Sequence, residues 1–597
     1  MANRRFSLPG GGLALGVLGL AFWVLAVATA SPSAIKALGL ISIVGWAYFV
    51  ALACMVAGFA MEVAAGSLRP ARLTALLLGL IVILFGTSSA IFPYATLTDS
   101  YIHDGFVQYI VTHGHIAHQV DARFYWPGAF TLAAALVTFT GQHDAGAFLR
   151  WFPFVIEVAY LAPLLALAKA SGVRQRTAYL GVAFFYSANW IYQDYFSPQA
   201  LNFLFFLVII ATALTVWKAV PSVREGAVTY SRRFSNTLSS LRPRRLNGFD
   251  ADASVSAGQE MAFIAIIALI IMAVVSSHQL TPVMVALGLG GLLLTRRLRR
   301  PELVLLAVVL TWAWVSLSAS DFWGGKLYTI FGGVGHATAS LNQNVTDRIV
   351  GSSTHVFIVD MRIATIAAVL IVALIGALRR ATDDRALEFL AFAPFVTVLG
   401  QSYGGEGLLR AALFSLPFAS LLAASAFAPN HEGTIPALFR LGVGTRSTPV
   451  RFGLTVGVAL AIAGTVQTLD RGGNDFYQSF TPGEVAATTY VNAHLKPGYV
   501  FAAEAPFLPA GQALAGSVER FYASVQGTQI PVNTSKLLSS HAQYVVITTS
   551  QEHWGVEVNG FPYGWQTSVR QALLDHGYRV VASWPTATVY ASAAVPK

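Results

Sequence analysis

The chain has 597 residues, of which 55% are apolar and only 11% charged, and its mean hydropathy is +0.60; a soluble domain carries roughly 25% charged residues. So much apolar surface cannot be hidden in one water-soluble core, which excludes a soluble enzyme and predicts a polytopic α-helical membrane protein. The net charge of +10 does not signal nucleic-acid binding, because most Lys and Arg stand in alternate loops between apolar runs, as the positive-inside rule requires.

In chain order, apolar runs of about 17–25 residues predict spans near 11–30, 36–60, 72–92, 148–170, 177–193, 199–218, 261–277, 282–295, 302–319, 356–378, 386–401, 408–428 and 451–469. That is about 13 transmembrane crossings by the length criterion. The lone cysteine, Cys54, falls inside the second run and rules out a disulfide framework or a Cys-based metal site. Arg4, Arg5, Arg69, Arg72, the R-R-L-R-R run at 296–300, Arg379 and Arg380 mark their loops as inner. An odd number of crossings then sets the N-terminus in the cytoplasm and the C-terminus outside the plasma membrane. Within 125–140, residues 127–140 are apolar enough to span, but counting them would invert every later loop and export the basic segment 224–245. They are therefore predicted as a re-entrant or surface-lying helix whose ends other protein covers. Residues 221–260, rich in Arg and Ser, read as a solvated linker.

The outer loops collect the uncommon polar residues. The first large one, 93–147, opens with T-D-S-Y-I-H-D at 98–104, where Asp99 and His103 stand four apart, on one face of a helical turn, and Asp104 follows. A carboxylate beside a second acid/base group is what deprotonating a sugar hydroxyl needs, and carboxylates are also the donors that hold a divalent cation. His113, His115 and His118 come next, without a Glu or Cys at zinc-binding spacing. Asp194 and Gln199 flank a turn fixed by Pro198, and His278 stands at the outer end of a span. Glu406 and Arg410, four apart at the start of another span, can pair on one face. An Arg entering the membrane is costly and functional by default. Its planar guanidinium suits a lipid phosphate, with Arg362 and Lys326 as further candidates for that role.

After 1–470, residues 471–597 read as a small extracytoplasmic α/β domain: strands near 496–503, 543–549, 578–584 and 587–591, and helices near 484–495 and 568–576. This alternation predicts a partly parallel sheet packed on helices. Trp554 and Trp565, around F-P-Y-G-W, read as core rather than as a sugar platform. No phosphate-loop or dinucleotide motif follows a strand.

The acidic first outer loop, then Y-W-P-G-A-F-T-L-A-A-A-L-V-T-F-T-G, L-R-W-F-P and Y-F-S-P-Q-A-L, resembles the GT-C membrane glycosyltransferases. The stretch G-G-E-G-L-L-R-A-A-L-F-S-L-P-F looks like actinobacterial-type members concerned with envelope glycans. The resemblance covers about 72–597 and implies transfer of a hexosyl or pentosyl group from a polyprenyl-phosphate sugar donor to a glycan or lipid-linked acceptor on the outer face. It also implies that Asp99 is the loop carboxylate acting as base or helping to hold a divalent cation, with Asp104 its competitor and His103 beside them. The chain departs from the family in two ways: two spans precede the one that usually opens it, and no adjacent acidic pair is present. Direct displacement at the anomeric carbon would use Asp99 as base and Arg410 for the departing phosphate. A polysaccharide polymerase or ligase would lean on outer Arg and His residues instead. A transporter would show inverted repeats and midplane charges, which this sequence lacks.

Overall fold

The computed structural model describes residues 10–118, 121–218, 255–323, 342, 347, 349–380, 384–400, 406–428, 449–509, 519–523 and 529–595. Among these, nine helices are long and apolar enough to cross a membrane: Gly11–Thr29, Gly45–Ala64, Pro70–Ile91, Phe152–Ala170, Pro198–Val216, Ala257–Ser277, Ser353–Arg379, Gly407–Phe427 and Pro449–Gly472. The other four predicted spans also fall on helices, but on short ones: Gln175–Ala188, Thr281–Leu294, Glu302–Leu317, and Ala386–Phe392 continued by Val396–Gly400. The second span begins at Gly45 rather than near 36, because residues 36–44 form a bridge and a 3-10 turn. The chain is a polytopic helical membrane protein followed by a small α/β unit.

Helix ends sort the charges. Where the Gly45–Ala64, Phe152–Ala170, Pro198–Val216 and Gly407–Phe427 helices finish, arginines donate to their terminal carbonyls: Arg176 to Ala65, Arg297 to Ala170, Arg299 to Val216 and Arg379 to Ala426. Cations at helix C-termini satisfy unbonded carbonyls and oppose the helix dipole. Ion pairs Arg72–Glu62, Arg300–Glu260 and Arg380–Glu388 belong to the same end of the bundle. The basic inner loops of the sequence therefore share one end, and Asp99, Asp194, His278 and Glu406 share the other. Lys326, residues 224–245 and most of 321–355 lie outside the described residues.

The Gly407–Phe427 helix is the axis of the bundle, with 89% of its most apolar stretch buried. It packs on Ser353–Arg379, Gln175–Ala188 and Ala386–Phe392, and Arg410 stands in its first turn. Between the long helices, residues 93–147 fold into an outer layer with its own core of Phe106, Phe124, Phe130 and Leu149. The Thr98–His113 helix carries Asp99, and Gly128–Phe139 packs across it. At 12 residues the latter is about 18 Å long, short of the roughly 30 Å hydrocarbon core. Trp314 Nε1 donates to the Tyr125 carbonyl at 3.1 Å and covers its approach.

The C-terminal sheet has the order β2-β1-β3-β5-β4, with β1 Val500–Ala503, β2 Glu519–Tyr522, β3 Tyr544–Thr548, β4 Arg579–Trp584 and β5 Ala587–Ala591. β1 runs parallel to both β2 and β3, and β5 runs antiparallel to β3 and β4. Alternation along the strands sends Phe501, Tyr544, Val546 and Val589 to one core, and Ala502, Val545, Ile547 and Tyr590 to the other. Trp554 and Trp565 are buried, as the sequence predicts. The prediction omits β2 and the helices Ile530–Ser539 and Thr549–Asn559.

This unit is tied to the outer end of the bundle. The Leu97 N–H, in a residue held at φ 79°, donates to the Gln478 carbonyl at 3.1 Å. Tyr101 meets Phe480 edge-on, ring centroids 5.5 Å apart, and the Ser352 N–H donates to the Glu557 carbonyl at 2.7 Å. The turn joining the first two spans braces the same joint: Gly39, at φ 66°, lies so close to Gly472 that a Cβ there would sit 1.9 Å from its carbonyl oxygen.

Candidate active site

Six of the polar residues singled out in the sequence converge at the end of the bundle opposite the basic loops: Asp99, His103, Gln199, His278, Glu406 and Arg410. Arg410 is the hub. One guanidinium nitrogen, Nη1, donates to Gln199 Oε1 at 2.9 Å and lies 3.1 Å from His278 Nε2. The other, Nη2, donates to Glu406 Oε2 at 2.6 Å. Gln199 reaches this point because Ser197 Oγ caps the Pro198–Val216 helix, fixing Gln199 in its first turn.

His278 is positioned by a cap of its own. Its Nδ1 accepts from the backbone N–H groups of Leu280 and Thr281, each at 3.2 Å. Burial, and then the Arg410 charge, hold the ring well below its ordinary pKa, so it is neutral. A neutral imidazole that accepts at Nδ1 carries its proton on Nε2, so His278 Nε2–H and an Arg410 N–H face each other. The Gln199 amide nitrogen is buried with no hydrogen-bond partner among the described residues. Arg410, His278 and the Gln199 amide thus each present N–H groups at one point, an arrangement suited to an oxyanion.

Across from them stands the Thr98–His113 helix. His103 shares the face of Asp99, its Nδ1–H donating to the Phe196 carbonyl at 2.9 Å while its ring stacks on Tyr195 at 9°. Burial, then the Arg123 charge, take its pKa down to about 3, so it stays neutral. Burial raises the Asp99 carboxyl pKa and Glu406 raises it further; Arg123, the residue's own N–H and Arg410 oppose them. Asp99 is thus a carboxylate moved toward neutral pH, as a general base requires. Tyr195 lies in the field of the same Asp99, Glu406, Arg410 and Arg123. Arg123, which the sequence reading passes over, is held by Asp121 through Nε at 2.9 Å and lies over Phe106.

Three other expected residues are engaged elsewhere. Asp104 is five residues from Asp99, roughly 140° around the helix. Its oxygens accept from the Ala145 N–H at 2.6 Å and the Gln108 amide at 2.8 Å, while burial takes its pKa up to about 6. It fastens the outer layer together. Arg362 donates to the Asp470 carbonyl at 2.7 Å and lies over Trp190. Asp194 pairs with Arg471 beneath the site.

A divalent cation fits this set poorly. No three His, Cys, Asp or Glu side chains group for a metal among the described residues, and Asp99 and Glu406 share their surroundings with two arginines, whose charge repels a dication. Beside Trp190, a small apolar pocket is lined by Ile191, Ile366, Val369, Leu416 and Ala419.

No family model matches the chain, and no curated protein matches it. Among solved structures it is similar to the oligosaccharyltransferase of Archaeoglobus fulgidus in its apo form, at 12% identity over 88% of this chain and 74% of that one, with a TM-score of 0.46. The Archaeoglobus fulgidus AglB complex with an inhibitory peptide and a dolichol-phosphate has 12% identity over 92% and 75%, with a TM-score of 0.44. ArnT from Cupriavidus metallidurans, bound to undecaprenyl phosphate, has 12% identity over 88% and 99%, also with a TM-score of 0.44.

Proposed function

We propose that this chain is a GT-C-type membrane glycosyltransferase that moves a hexosyl or pentosyl group from a polyprenyl-phosphate donor to an envelope glycan or lipid-linked acceptor. The observation that carries the reading is the convergence of Arg410, His278 and the orphaned Gln199 amide opposite Asp99. In this mechanism Asp99 takes the proton of the acceptor hydroxyl and the freed oxygen attacks the anomeric carbon. The bond from that carbon to the phosphate oxygen breaks, and the lipid phosphate leaves with its negative charge on the three donors. Solvent then takes the proton from Asp99. The leaving group is a phosphate already, so no nucleotide is needed. The arginine-capped end of the bundle faces the cytoplasm under the positive-inside rule, which sets the site and the sheet unit, residues 471–597, on the outer face.

The test is transfer of radiolabelled sugar from a panel of polyprenyl-phosphate sugars by the purified full-length protein, with Asp99→Asn as control. Transfer lost in that variant supports the reading. The Arg410–His278 contact also suits a polysaccharide ligase acting on lipid-linked glycans; ligation that survives Asp99→Asn would favour that second reading.

A further inference from the structure

Below the turn that carries Tyr195 and Gln199 lies a buried ionic cluster that the transfer mechanism does not use. Arg471 Nη1 donates to Asp194 Oδ1 at 2.8 Å, with the two side chains only 6% and 4% exposed. The guanidinium lies 4.5 Å from the Tyr192 ring and 5.1 Å from that of Phe85. Glu157 stands beside Asp194, and one Glu157 oxygen accepts from the Asn189 amide at 2.7 Å. Tyr192, in the left-handed region at φ 59°, is fixed by a hydrogen bond to Thr96.

A buried ion pair is weak evidence for stability, since apolar residues of similar volume do as well or better. Its geometry is what stands out here. The cluster grips residues 189–194 from three elements: Glu157 from one span, Arg471 from the last span, and Thr96 from the lead-in to the Asp99 helix. The next five residues present Tyr195 to the His103 ring, the Phe196 carbonyl to His103 Nδ1, and Gln199 to Arg410. Ser197 and Pro198 make that stretch stiff.

We propose that Arg471, Asp194 and Glu157 form a buried strut of positioning residues that sets Gln199 and His103 in register with Arg410 for binding the donor phosphate. The proposal rests on the Arg410 anion-site reading. The experiment is a double-mutant cycle on the full-length protein, reading the affinity for a polyprenyl monophosphate in detergent micelles. Gln199→Ala and Asp194→Asn are each expected to lower affinity at least about fivefold, and the double variant to be no worse than Gln199→Ala alone. Additive losses would overturn the strut, as would wild-type affinity in Asp194→Asn when Gln199→Ala has lost it. Should Asp194→Asn not fold, Glu157 carries the comparison. Glu157→Gln, which retains an oxygen to accept from the Asn189 amide, keeps wild-type affinity, and Glu157→Leu drops to the Gln199→Ala level; equal affinity in these two would overturn the strut. Wild-type affinity in both Gln199→Ala and Arg410→Lys would instead bring down the anion-site reading, and the strut with it.

Discussion

Replacing Arg410 with lysine keeps the positive charge and removes the planar fork. In the structure the fork spends one nitrogen on Gln199 and the other on Glu406, with His278 Nε2 3.1 Å from the first, so a phosphate oxygen that enters between Arg410 and His278 gains a bidentate partner. Lysine is a point charge and can supply one such bond but not the parallel pair. The loss is one charge-assisted hydrogen bond, about 1.5–3 kcal/mol, or about 10- to 150-fold in kcat/KM for the donor. Stability should move far less. The Glu406 side chain is 41% exposed, so freeing it leaves no buried charge, and such a helical pair is worth only about 0.3–0.5 kcal/mol. The assay is donor-dependent transfer over a range of donor concentrations, with thermal unfolding in detergent as control. A folded Arg410→Lys protein within twofold of wild type would refute the idea that the fork binds the phosphate.

Asp99→Asn should reduce kcat about 10²- to 10⁴-fold, the usual contribution of a general base, with donor affinity nearly unchanged; equilibrium binding beside turnover checks both. Activity should fall as pH drops through the Asp99 pKa, which burial and Glu406 raise. Glu406→Gln removes a raising charge and should move that acid limb to lower pH, whereas Arg123→Gln removes a lowering charge and should move it higher; pH–rate profiles of the two variants must diverge in those directions. Gly39→Ala should lower the unfolding temperature in detergent, because the new Cβ would overlap the Gly472 carbonyl at a backbone angle that alanine avoids.

The spans were legible because apolar runs of membrane length have few other uses, and the arginines that donate at the helix ends at 170, 216 and 426 are among those that mark the basic loops in the sequence. Within the site, helical spacing found Asp99 with His103 and Glu406 with Arg410. It could not separate Asp104 from Asp99, because neighbours in sequence diverge around a helix. Nor could it show that Gln199 and Arg410, 211 positions apart, would touch. Glu157 and Arg471 escaped notice as single charges within or at the edge of apolar runs, although an ionisable group inside a span is itself a signal. β2 was missed because E-R-F-Y is too short to display an alternation.

The bond from the Leu97 N–H to the Gln478 carbonyl has a bearing on biosynthesis. The helix that starts at Thr98 is made early and can insert beside its neighbours well before the chain is complete. Its leading peptide group nevertheless waits for a partner that the ribosome adds hundreds of residues later, after the last span has been translated. The helix that carries Asp99 therefore reaches its final setting only once the C-terminal unit has folded against it, and a nascent chain stalled before that point would lack this brace.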